Sequence, residues 1–153
     1  MLGGSSVELA TASALLSFYS QMEDEITRFY QTLAARDTFS QGQHTFYVFA
    51  QESQKHKKRV LRTYREIISD ALETSFSFIG VKTEDYTIDT ELPPDISYEE
   101  ALTKAELIEE RSAKLCATAG QQSQSLLAGI PQAFQRIAKR KRERKQILYT
   151  LRE

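Results

Sequence analysis

Four stretches of this chain place apolar residues every three or four positions, and each interrupts that stripe near its middle with a polar or charged residue. A spacing of three and four marks one face of an α-helix, because 3.6 residues complete a turn. The first stripe runs Leu9, Ala12, Leu16, Tyr19, Ile26, Tyr30 and Leu33, and the position it skips is Glu23. The second reads Phe46, Phe49, Ser53, His56, Val60, Tyr64 and Ile67. The third is Tyr98, Leu102, Ala105, Glu109, Ser112, Cys116 and Ala119. The fourth is Leu127, Ile130, Phe134, Ile137, Lys141, Arg144, Leu148 and Leu151. Only three prolines and six glycines occur in 153 residues, which suits long helices and not a many-turned β fold.

Local signals bound these stripes. Ser5 with Glu8 has the form of a capping box and predicts a first helix over about residues 6–36. A short link then leads to a second helix over about 40–74, fading after Leu72. Residues 76–96 hold Gly80, Pro93 and Pro94 and carry no sustained stripe. A structureless segment of about twenty residues is long for a compact domain, yet it is the length needed to travel back along a bundle. It is read as a crossover, with a short helical or extended piece near Tyr86 to Ile88. Ser97 with Glu100 forms a second capping box, opening a helix over about 97–120. Pro131 reads as a first-turn proline of a helix over about 130–151. The predicted fold is all-α: one domain spanning 1–153, an antiparallel four-helix bundle with a long crossover between helices 2 and 3.

The interruptions fall at one depth. Glu23 and Ser53 each lie about fifteen residues from the first short loop, and Glu109 and Lys141 about sixteen from the second, so a rise of ~1.5 Å per residue brings them level. The result is a polar layer of Glu23, Ser53, His56, Glu109, Lys141 and Arg144, with the two helix pairs looking like an old duplication. Buried charge is costly unless it is paired, bonded or bound to metal.

The segments around this layer carry a resemblance. In Met22 to Tyr30 (MEDEITRFY), Glu23 stands seven residues before the tyrosine of a Phe-Tyr pair. Phe49 to His56 (FAQESQKH) has the shape of a Glu-x-x-His segment with Ser53 at the glutamate position. Ile137 to Arg144 (IAKRKRER) has Lys141 and Arg144 at the corresponding two positions, and Leu115-Cys116 stands where helix 3 would repeat Phe-Tyr. The chain resembles the ferritin-like, rubrerythrin-type di-iron bundles, which use one Glu from each of two helices and a Glu-x-x-His pair from each of the other two. The resemblance implies descent from di-iron oxidoreductase or iron-handling chemistry. Of six ligand positions it implies, Glu23, His56 and Glu109 keep a ligand side chain. Lys141 and Arg144 supply positive charge in place of metal, since neither is a ligand while protonated.

The expectation is an internal ion-pair layer without a cofactor, in a homodimeric structural or interaction module that is not an enzyme. The competing expectation is one iron, manganese or zinc ion held by Glu23, His56 and Glu109, with Glu52 as a fourth ligand, in an oxidoreductase or peroxidase.

Charge distribution offers a third expectation. Helix 2 carries Lys55, Lys57, Lys58, Arg59, Arg62 and Arg65, and helix 4 carries Arg136, Lys139, Arg140, Arg142 and Lys145, whereas residues 84–110 hold ten acidic side chains against one lysine. Neighbouring helices 2 and 4 would join these cations into a basic ridge for nucleic acid or another polyanion. Against that stands a solvated face partly paired with Glu52, Glu66 and Glu143, a net charge of -1, and no interleaved aromatic rings for stacking bases. Cys116 is the one cysteine, which excludes an internal disulfide, and on an apolar stripe it reads as an inert buried thiol. His44 reads as a surface residue; Tyr19, Tyr30 and Tyr64 would suit radical or electron-transfer roles beside an iron site, and with the site altered they read as packing. Met1 to Ser6 have no signal-peptide pattern and no stretch is apolar enough for a membrane span, so a cytoplasmic protein without a membrane partner is expected. No phosphate loop, dinucleotide fingerprint, nucleophile elbow or zinc-protease helix occurs.

Overall fold

The structure is a computed structural model that describes residues 6–67, 76–125 and 129–152. Four long helices dominate the described residues: α1 (Ala12–Ala35), α2 (Gln43–Ile67), α3 (Tyr98–Gln122) and α4 (Gly129–Thr150). Two short 3-10 turns, Asp37–Gly42 and Thr83–Tyr86, lead into α2 and punctuate the crossover. No helix among the described residues is long and apolar enough to cross a membrane.

α1 starts at Ala12 rather than near residue 6. The Thr11 side chain accepts a hydrogen bond from the Ala14 amide at 3.0 Å and caps the helix. The residues before it are extended and pair with the crossover: Leu9 N–H donates to Val81 O at 2.7 Å, Phe78 N–H to Ala10 O at 2.7 Å and Thr83 N–H to Val7 O at 2.9 Å. Leu9, Phe78 and Val81 are all buried, so this short antiparallel clasp brings apolar side chains from two distant segments into one core. Gly80 turns the chain there with φ +72°, a conformation that costs glycine little and other residues more. The predicted fading of helix 2 after Leu72 and the stripe residue Leu127 lie outside the described residues.

The crossover runs along α3. Gln122 exchanges two 2.8 Å hydrogen bonds with the Ile79 backbone, Tyr86 OH donates to Thr118 at 3.3 Å, and Arg111 donates to Thr87 O at 2.7 Å. Lys104 pairs with Asp89 at 2.6 Å, and Arg36 at the end of α1 donates to the carbonyls of Leu92 and Pro93. Residue numbers on the crossover thus rise as those on α3 fall, and the segment traverses most of the helix. α3 itself opens with the predicted capping box, Ser97 and Glu100 bonding reciprocally at 3.0 and 3.1 Å.

Stripes face inward as their spacing requires. Tyr19, Ile26, Tyr30 and Leu33 of α1 are buried with Phe46, Phe49 and Val60 of α2, Leu102, Ala105 and Cys116 of α3, and Phe134, Ile137 and Leu148 of α4. α1 folds back on α2, with Gln54 bonded to Thr27 and Lys57 to Asp24. α3 and α4 pair closely where Gly120 sits; a Cβ there would lie 2.9 Å from Gln135 Cγ. Replacing Thr11 with alanine is expected to lower unfolding free energy by about 1 kcal/mol, with serine retaining most of it, as measured by urea denaturation.

Candidate functional site

The middle of the bundle holds charged side chains with no access to solvent: Glu23, Glu109, Lys141 and Arg144, together with Ser53 and Ser112. Each helix contributes because its polar residue occupies a stripe position that would otherwise be apolar. Lys141 Nζ lies 3.0 Å from Glu23 Oε1 and 4.0 Å from Glu109 Oε1, so one ammonium stands between both buried carboxylates. Arg144 Nη1 donates to Glu109 Oε2 at 3.3 Å and to Ser53 Oγ at 3.1 Å. Its Nη2 donates to Phe49 O at 3.1 Å and its Nε to Glu52 Oε1 at 3.2 Å, while the guanidinium lies over the Phe49 ring at 4.9 Å. Burial opposes the Arg144 charge, but Glu109, Glu23 and Glu52 outweigh it and raise the pKa.

Two tyrosines complete the layer. Tyr19 OH donates to Glu23 Oε2 at 2.6 Å, and Tyr30 OH donates to Glu109 Oε2. Burial, reinforced by the neighbouring carboxylate in each case, pushes both phenols well above their usual pKa, so they remain donors. Sequence reasoning treated them as packing. Tyr19 could have been found from its position one turn before Glu23; Tyr30 meets Glu109 across 79 residues, which no local pattern reveals. Cys116 is buried, with its thiol pushed up to about 12 chiefly by burial, as an inert core residue should be.

His56 sits at the rim of the layer. Its Nδ1 is 3.9 Å from Glu23 Oε2, beyond hydrogen-bond reach, and has no partner among the described residues. Burial, then Arg144, Lys141, Arg140 and Arg59, depress its pKa to about 2, so the ring is neutral. Glu52 lies further out: Arg140 clamps both its oxygens at 3.1 and 2.9 Å, and Arg140 with Arg144 holds its pKa down against partial burial. Glu23, Glu52, His56 and Glu109 are therefore not gathered as one ligand set, and among the described residues no group of three or more His, Cys, Asp or Glu is placed to hold a metal ion. A di-iron centre does not fit this donor set, because the Lys141 ammonium stands between the two carboxylates such a centre would share.

Outside the layer, α2 and α4 enclose a groove of about 770 Å³. Lys55, Lys58, Arg59 and Arg62 line one wall and Arg136, Lys139 and Arg140 the other, with His56, Thr63, Ile137, Glu52 and Glu143 between them. On each helix these cations recur at i, i+3, i+4 spacing, which places them on one face. Arg142 is exposed outside the groove, and Lys145 reaches Glu110 on α3 at 3.3 Å, so neither lines it. Helical rotation between residues 140 and 142 carries Arg142 to another face. Arg136 lines the groove beside Lys139 and Arg140.

The chain matches no protein-family model, no curated protein and no solved structure.

Removing one partner from a buried pair leaves an uncompensated charge. Lys141→Met is expected to lower unfolding free energy by about 3–5 kcal/mol. Lys141→Met with Glu23→Gln should recover part of that loss, a double-mutant coupling measurable by chemical denaturation. His56 supplies a pH test. The folded protein keeps it unprotonated down to about pH 2, whereas the unfolded chain takes up the proton near pH 6.5. The unfolded state therefore binds more protons below pH 6.5, and stability falls as pH drops from 6.5 to 5 by at most about 1.4 kcal/mol per unit. His56→Gln should flatten that slope in denaturation curves recorded across the same range.

Proposed function

We propose that the chain is a ferritin-like, rubrerythrin-type antiparallel four-helix bundle whose di-iron layer has given way to ion pairs, and that it works as a non-enzymatic structural or interaction module. The observation that carries this reading is the Lys141 ammonium standing between Glu23 and Glu109, with Arg144 completing the charge balance. Two carboxylates that would need metal cations have cations supplied by the chain itself. The four polar interruptions meet at one level, the depth at which ferritin-like bundles carry their ligands. The crossover along α3 supports the same topology.

The chemistry that remains is poor in catalytic groups. The two buried tyrosines are held protonated, the thiol is inert, and the neutral imidazole has charged neighbours that oppose its protonation. A general acid or base works best with a pKa near the operating pH, and these groups are moved away from it.

Elemental analysis tests the reading on protein grown with iron, manganese and zinc and purified without chelator. No stoichiometric metal is expected. About one metal ion per chain, lost in Glu23→Ala or His56→Ala, would overturn the ion-paired layer and favour a mononuclear metal site. The companion variant Lys141→Glu/Arg144→His returns a Glu-x-x-His pair to α4 and is expected to gain metal while keeping its helical circular dichroism. A folded double variant with no metal affinity would count against the di-iron ancestry.

A further inference from the structure

We propose that the groove between α2 and α4 binds a compact polyphosphate anion, a short run of linked phosphoryl groups. The inference deepens the module reading by naming a ligand class, yet it depends on the outer wall of α2 and α4 and not on whether the buried layer excludes metal.

Charge in the groove is unbalanced in a way the layer beneath is not. Its two carboxylates, Glu52 and Glu143, are both engaged by Arg140. Lys55, Lys58, Arg59, Arg62, Arg136 and Lys139 have no ion-pair partner among the described residues. Six cations on two facing walls repel one another unless anions sit between them, and a concave site focuses their field on its interior. Guanidinium groups match phosphate oxygens with paired donors, and lysine adds compact positive charge.

The groove's dimensions select the ligand. The cations on α2 span residues 55 to 62 and those on α4 residues 136 to 140, which at ~1.5 Å per residue is a patch about 10 Å long. Its volume falls within the range of small-molecule sites. A nucleic-acid strand would use a longer track and a series of aromatic platforms for its bases, and no phenylalanine, tyrosine or tryptophan lines the groove, His56 being its one ring. Ile137 is its one apolar lining residue, so the large apolar side chains of a peptide would find no hydrophobic cluster to pack against. The α4 wall is held in place as well: Arg140 is fixed on Glu52, and Glu52 is fixed in turn by Arg144 of the buried layer.

Isothermal titration of the full chain with inorganic tripolyphosphate tests the proposal. One site per chain is expected at low salt, weakening as sodium chloride is raised. Arg59→Glu/Arg136→Glu should weaken binding by roughly tenfold or more. Arg28→Glu/Lys114→Glu, which changes net charge equally but lies outside the groove, should leave it unchanged. Both double variants are compared by circular dichroism, and Arg59→Gln/Arg136→Gln serves if charge reversal impairs folding. Proton resonances of His56 should shift on titration while those of His44, exposed near the start of α2, stay still. The absence of both heat and a His56 resonance shift at low salt, or equal losses in the two double variants, would overturn the proposal. So would tighter binding of a single-stranded oligonucleotide with the same variant dependence, which would make the groove a nucleic-acid site. Salt-sensitive self-association abolished by the groove variants would likewise overturn it, by placing the acidic 84–110 face of a second copy in the groove.

Discussion

Two glutamates removed from water, Glu23 and Glu109, constrain the bundle more than any apolar contact. A carboxylate in that position needs a positive partner at the same depth, and both partners come from one helix. Lys141 and Arg144 make α4 the hub: Lys141 reaches α1 and α3, and Arg144 reaches α2 and α3. Sliding any helix by one turn would separate charges that cannot be left alone. Such pairs contribute less to net stability than well-packed apolar residues of the same volume would, because desolvation offsets most of their attraction. What they fix here is register.

Much of this was legible in the sequence, because the information was periodic. Stripe spacing gave four helices, the interruptions gave the layer, and Ser97 with Glu100 gave the start of α3. The failures share a physical cause. Ser5 and Glu8 satisfy the capping-box pattern, but the backbone of residues 7–10 finds its hydrogen-bond partners near residues 78–83 instead. Tyr30 finds Glu109 and Arg36 finds Leu92 at similar separations. Nothing local encodes such meetings. The absence of Arg142 and Lys145 from the groove differs in kind: helical rotation alone separates them from Arg140, so the sequence contained that information.

The same two helices present opposite electrostatic conditions on their two sides. Inward, carboxylates and cations meet at close range and the layer neutralises itself with help from Glu52 at its edge. Outward, cations are left facing each other across a groove. His56 stands at the boundary as a neutral ring, kept so first by burial and then by the positive groups on both sides. The partition follows from composition at each helical angle: α4 offers Lys141 and Arg144 to the interior, and Arg136, Lys139 and Arg140 to the groove.

The clasp between residues 7–10 and 78–83 has a consequence for how the chain reaches this state. Its Val7–Thr83 bond joins residues 76 apart in sequence, so forming it first would close a very large loop at a considerable entropic cost. Once α1 has folded back on α2, the ends to be joined are already near each other and the effective loop is short. The clasp therefore belongs late in folding, after the first helix pair. By the same logic it belongs early in unfolding. Its release would free the start of the crossover from α1 while the buried charge layer still holds, so amide exchange at Leu9, Phe78 and Thr83 should occur through a local opening.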